Sequence, residues 1–358
     1  MKLIDKYIIK KFLGTFFYAI ALIIFIVIIF DISEKIDDFI TGKAPLTAII
    51  FDYYFNFIPY FINLFSPLFT FIAVVFFTSK MAADTEIVAI LASGVSFRRL
   101  LFPYFLSATF LAVLSFFLIN FVIPKANEKR FVFEDAYLRT HLKFNENNIH
   151  RQIGPGIFVY MSGYNNTDDV GYKFSLDKIE NHQLTYRIMA ESIRWDSIKS
   201  TWHLQNYAIR TFDGMKESFR NGNYLDTALA IQADDFGKKN VEIETLNYFE
   251  LNKFIEDEKF KGKEDVVYSE LEKHKRLVLP FETFVLTMIA VALASRKVRG
   301  GIGAHIGFGL LISFSYLLFM QISNTFATNA GMSPMLAVWL PTIIYFLLGI
   351  VLLKIAPK

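Results

Sequence analysis

Two blocks of long apolar runs enclose a middle stretch in which the hydrophobic period shortens to two. Six runs predict membrane helices, approximately Phe12 to Phe30, Tyr53 to Thr78, Leu100 to Ile123, Leu277 to Ser295, Gly303 to Ser323 and Met335 to Leu353. A bilayer span takes about 20 mostly apolar residues, because each backbone polar group must be satisfied inside the segment once water is excluded. Lys2, Lys6, Lys10 and Lys11 precede the first run as they would in a signal peptide. That run is too long and no small-residue cleavage site follows, so it reads as an uncleaved first helix.

Between the blocks, Lys125 to Leu142 reads as a helical extension with Arg130–Glu134 and Asp135–Arg139 spaced as i,i+4 ion pairs. From Gly156 the alternation begins. Tyr172, Phe174 and Leu176 oppose Lys173, Ser175 and Asp177, and Leu184, Tyr186, Ile188 and Ala190 share one face. In Thr201 to Phe212 the apolar parity switches between Leu204 and Tyr207, which predicts a β-bulge. Turn residues Asn165, Asn166, Asn181, Asp213 and Gly214 separate the strands, giving an antiparallel sandwich or curved sheet with an apolar trough. Thr245 to Arg276 returns to helix, broken at Gly262, and a second short helix leads back to the membrane. The domains are therefore residues 1–124 with three membrane helices, 125–276 with the inserted β domain and its flanking helices, and 277–358 with three more membrane helices.

Composition agrees with a membrane protein: 54% of the 358 residues are hydrophobic and the mean hydropathy is +0.37. The net charge of +3 is small and lies near membrane ends, so no nucleic-acid partner is indicated. Lys/Arg bias sets orientation. The N-terminal lysines, Lys80, Arg98, Arg99, Arg296, Lys297, Arg299, Lys354 and Lys358 fall on one side, read as cytoplasmic with both termini. Residues 125–276 then face outward, although His274, Lys275 and Arg276 lie against the rule. Without cysteine there is no disulfide, thiol nucleophile or thiolate metal site. No H-E-x-x-H pair, G-x-S-x-G elbow or G-x-x-x-x-G-K-[ST] phosphate loop occurs, so no catalytic or metal site is assigned, and any ATPase is another chain.

Lys80 to Arg99 carries the most specific pattern. Ile87, Ile90 and Leu91 share one helical face, Asp84 or Thr85 can cap its start, and Gly94 can end it. This short helix, about 84–94, is either a plain interfacial connector or a coupling helix that docks in an ATPase groove through Glu86. Gly303 and Gly307 form G-x-x-x-G, a close-packing face within the chain or toward a partner. Glu282, just inside the fourth helix, either snorkels toward Lys275 or marks a polar cavity.

The Glu86–Gly94 pattern E-x-x-A-x-x-A-S-G, the re-entry from Glu270 to Pro280 and Arg299-Gly300-Gly301-Ile302-Gly303 resemble the lipopolysaccharide-export permeases of the LptF/LptG type over essentially the full length. The resemblance implies an α-helical protein with six transmembrane helices and an inserted periplasmic β-jellyroll-like domain in the bacterial inner membrane. It also implies a paralogous permease subunit, a cytoplasmic ATPase dimer that holds ATP and Mg, and periplasmic bridge proteins. This chain then carries no cofactor and extracts lipopolysaccharide. Phosphorylated sugars suit Lys35, Lys129, Arg130, Lys275 and Arg276 near the outer helix ends, and acyl chains suit Phe174, Tyr186, Ile188 and Leu204. The cations serve equally as lipid-headgroup contacts or local ion-pair partners. The competing functions are a permease of another ABC-type lipid or lipoprotein export system and a membrane enzyme that modifies lipid. The first usually places its domain after the first of four helices, and the second needs clustered catalytic groups.

Overall fold

The computed structural model describes residues 2–138, 145–165, 168–197, 199–214, 216–229, 231, 233, 243–260, 266–295 and 301–356. Uninterrupted apolar runs leave the helix as the way to satisfy the backbone, and nine α-helices of seven residues or more, with the helical turn Leu46–Ala48 and two π-helical segments, carry most of the described chain outside the sheet. They are α1 (Leu3–Thr41), α2 (Phe55–Ala83), α3 (Glu86–Ala92), α4 (Phe97–Phe117), α5 (Ile123–Tyr137), α6 (Tyr248–Phe260), α7 (Val266–Ala294), α8 (Gly301–Asn329) and α9 (Pro334–Ile355). Among the described residues six segments are long and apolar enough to cross a membrane: α1, Leu46–Ala83, Phe97–Tyr137, α7, Ile306–Asn329 and α9. The chain is a multi-pass membrane protein with three such helices on each side of an inserted sheet.

A single stripe fixes α1. Ile8, Phe12, Phe16, Ile20 and Ile24 recur every four residues and are buried against Phe71, Phe77 and Tyr104, while Phe25 and Phe30 point outward. Two π-helical turns, Ile49–Tyr54 and Leu118–Val122, adjoin prolines. Pro59 and Pro124 each remove one helix donor, and nearby asparagines satisfy loosened carbonyls. Asn56 Nδ2 donates to the Phe51 and Asp52 carbonyls at 3.0 and 2.9 Å, and Asn120 Nδ2 to Phe116 O at 2.9 Å. The expected return to the membrane through a separate short helix gives way to continuous α7, because Pro280 interrupts its hydrogen bonds without ending it.

The inserted unit is an antiparallel meander in the order β1 (Asn145–Gly154), β2 (Ile157–Asn165), β3 (Val170–Glu180), β4 (Gln183–Asp196), β5 (Thr201–Asp213) and β6 (Lys216–Thr227). Strand β1 begins before Gly156, where alternation had been expected to start; its polar run Asn145–Asn148 conceals the period. The parity switch in β5 is present, but not as a bulge. Gln205 pairs with Ser192 and Tyr207 with Ala190, so register is kept across Asn206. The ladder skips a level in every strand, at Asn148, Ser162, Lys173, Glu191, Asn206 and Asn223, and between β2 and β3 it skips Met161 and Phe174 as well. Lys173 and Asn206 step through φ of 49° and 51°. The sheet is creased along that line and folds into a jellyroll-like core in which Met161, Tyr164, Phe174, Ile188, Ile193, Trp202, Leu204 and Tyr207 meet. Tyr172 was expected to share the face of Phe174; lying across the crease, it is 48% exposed instead. Near the crease, a methyl group at Gly171 would press on Met161 Sδ, the movable end of a flexible side chain, and lie 3.1 Å from Ile193 Cγ1. The expected Asp135–Arg139 pair and the break at Gly262 lie outside the described residues.

Candidate functional site

At the end of the bundle that carries the N-terminus, a turn joins α2 to α3. Gly94 at φ 85° ends α3, as the sequence predicted. Thr85 occupies the N-cap without capping an amide; its hydroxyl donates to Asp84 O at 2.7 Å. The apolar face of α3 points inward. Ile87 is buried in the membrane-helix core, and Ile90 and Leu91 pack against the same cluster. Val88, 56% exposed, is the large apolar residue that α3 presents outward, alongside exposed Asp84 and Ala89. Glu86 is half-buried and already engaged: Tyr7 Oη donates to its two oxygens at 2.8 and 3.0 Å, and Lys11 Nζ lies 3.7 Å away. Beside it, Arg99 grips buried Asp5 in a fork of 2.7 and 2.8 Å. Sequence reasoning missed Tyr7 and Asp5, because each lies 79 or more residues from its partner and no local spacing links them.

The five rim cations divide. Lys35 pairs with Asp31 at 3.0 Å and donates to Tyr53 Oη, while Tyr54 holds the other Asp31 oxygen at 2.9 Å. Arg130 is buried, 3.4 Å from Glu134 and with its guanidinium over Tyr60 and Phe131. Arg276 is buried between Glu272, at 2.9 Å, and the Leu246 carbonyl, at 2.6 Å. These three brace helices. Lys129 is exposed and Lys275 half-buried.

In the sheet, Phe174, Ile188 and Leu204 are buried and Tyr186 packs half-buried against them, all on the inner face. Lys173 faces outward, and Arg187 forks onto Asp177 at 2.6 Å on the outer face. Leu229, Ile231 and Ala233, which follow β6, pack against the inner face. The outer face carries a pocket of about 290 Å³ lined by His150, Gln152, Phe158, Tyr160, Ser175 and Asp177.

Among the described residues a methyl group at Gly303 or Gly307 would meet nothing within 4 Å, whereas one at Gly309 would lie 2.9 Å from the Phe71 ring. Close packing inside the chain thus uses Gly309 and leaves the other two open. Glu282 does not snorkel outward: it is buried and hydrogen-bonded to Tyr316. Tyr316 also bonds Thr342 at 3.1 Å, and Ser315 bonds Tyr345 at 2.6 Å. A polar seam therefore joins α7, α8 and α9 within the apolar bundle.

Residues 6–355 match the profile of one protein family, described as lipopolysaccharide export system permease LptF/LptG. No curated protein matches the chain significantly.

Proposed function

Because the chain belongs to the LptF/LptG family of lipopolysaccharide export permeases, we propose that it is the permease subunit of an ATP-driven exporter in the bacterial inner membrane. It takes lipopolysaccharide from that membrane and passes it to a periplasmic bridge. The family match over residues 6–355, on a chain with three membrane helices either side of a jellyroll-like sheet, carries this reading.

The Lys/Arg asymmetry supports cytoplasmic termini and an outward sheet. On that orientation α3 faces the cytoplasm and meets the ATPase subunit, which holds ATP and Mg, through Val88 and its exposed neighbours. Ile87, Ile90 and Leu91 transmit the load into the bundle. Exposed Lys129 and half-buried Lys275 attract the phosphorylated sugar, and the inner face of the sheet takes acyl chains as they leave the bilayer. Each methylene exposed to water would cost about 0.8 kcal/mol, so an apolar path has to be continuous. Gly303 and Gly307 let a paralogous permease approach α8 closely.

The test is reconstitution of the complex purified from native membrane into vesicles that contain lipopolysaccharide. ATP-dependent release of lipopolysaccharide to a soluble periplasmic acceptor is expected. ATP hydrolysis with release of a different lipid or a lipoprotein, and none of lipopolysaccharide, would instead support the alternative ABC-type export system.

A further inference from the structure

The joint between α2 and α3 holds a strained residue and a clamp. Thr85 sits at φ 59° and ψ 10°, in the left-handed region where a β-branched side chain crowds its own backbone. Such a residue persists only where its surroundings over-determine it. The determinant lies one residue on. Glu86 is tied to α1 by Tyr7 Oη at 2.8 and 3.0 Å and by Lys11 Nζ at 3.7 Å, and Lys11 also lies 4.5 Å over the Tyr7 ring.

Helix α1 is unbroken for 39 residues. It is anchored to α4 through Asp5–Arg99 near its start, and near its other end Asp31 holds Tyr53 and Tyr54 at 3.2 and 2.9 Å. Anything that moves Glu86 therefore pulls on a rod whose far end grips the start of the second membrane helix.

We propose that Tyr7 and Lys11 are positioning residues that couple α3 to α1, so that displacement of α3 by the ATPase is delivered to α1 through Glu86. This rests on the exporter reading above. Glu86, its side chain a third exposed, is held from behind by α1 while α3 takes the load. The bond from a neutral phenol to a carboxylate is charge-assisted, and its loss corresponds to about a tenfold change in a coupled equilibrium.

The test uses the whole complex in vesicles that contain lipopolysaccharide. Tyr7→Phe should leave assembly and ATP hydrolysis intact while lowering lipopolysaccharide released per ATP by about tenfold. The chain has no cysteine, so a Tyr7→Cys, Glu86→Cys variant offers a single bridging pair. It should lose coupling, regain it when a cleavable bismaleimide joins the two positions, and lose it again on cleavage; a merely structural role would not follow the tether. Amide exchange adds a readout independent of substrate: ATP should change protection in the first turns of α1 in the wild type and not in Tyr7→Phe. Wild-type release per ATP in Tyr7→Phe, no recovery on bridging, or an unchanged exchange response would each overturn the clamp. A wild-type complex that hydrolyses ATP and releases no lipopolysaccharide overturns the exporter reading instead, and the exchange measurement still decides the clamp.

Discussion

The indole N–H of Trp202 donates to the Ile231 carbonyl at 2.8 Å, and both residues are buried. The chain after β6 thereby lies on the inner face of the sheet, where Leu229 and Ala233 flank the same contact. Photo-crosslinking residues at Phe174, Ile188 or Leu204 should therefore capture lipopolysaccharide only while the complex hydrolyses ATP. Those at Lys173 or Arg187, on the outer face, should not. Ile231→Ala should cost about 2–5 kcal/mol of domain stability, read as a lower unfolding midpoint. Equal capture at both parities would remove the inner face from the path.

Helix α3 separates docking from packing. Val88→Asp should lower co-purification of the ATPase and leave the unfolding midpoint nearly unchanged, since Val88 is exposed. Ile87→Ala should do the opposite and lose about 2–5 kcal/mol, since Ile87 is buried. If both variants bind ATPase at the wild-type level, α3 is a plain connector.

Orientation can be read by reporter fusions. Those after Phe39, Gly222 and Asn329 should report an extracytoplasmic site, and those after Ser93, Lys297 and Lys358 a cytoplasmic one. A cytoplasmic signal at Gly222 would reverse the topology.

Within the bundle, Tyr316 bridges Glu282 of α7 and Thr342 of α9. Hydrogen bonds between membrane helices average about 0.6 kcal/mol and reach about 1.7. Tyr316→Phe should lower stability in detergent by an amount in that range, and Thr342→Val should add little once Tyr316 is gone. Fully additive losses would show that the two do not act as one network.

His203 in β5 makes the sheet sensitive to pH. The Asp196 carboxylate on Nε2 at 3.1 Å, and then Asp226 on Nδ1, hold the imidazole above its usual pKa. A raised folded pKa means that this stabilisation is complete below the unfolded value of about 6.5 and is lost as pH rises through the folded one. The unfolding midpoint of the full chain should fall from about pH 6.5 upward relative to His203→Gln. Parallel curves would show that the carboxylates contribute nothing.

The membrane helices were legible because lipid makes each one declare itself in about 20 consecutive residues. Their true ends were less so: α1 runs to Thr41 because Asp31 and Lys35, polar enough to suggest a loop, are satisfied by Tyr53 and Tyr54. Strand β1 was hidden because its inner face includes Arg151, which breaks the apolar period. The short helix α3 lies where the sequence predicts one, but the spacing alone does not say which way its apolar face turns. The stripe Ile87, Ile90 and Leu91 marks a buried side equally well for a partner or for the chain's own bundle, and only the packing distinguishes them.

The crease through the sheet has a consequence for how such a domain can change over generations. A bulge is one extra residue in one strand, and a single deletion erases it. Here six strands step out of the ladder together, and along that line none carries a spare residue; the extra residues, Ile153 in β1 and Thr185 in β4, lie near strand ends away from it. Deleting Asn206 would shift the rest of β5 by one, turning Tyr207 and Ile209 outward against partners that have not moved. A compensating loss would then be required in every neighbouring strand at once. The bend is thus inherited as a unit, while residues of suitable size can be exchanged freely on either side of it.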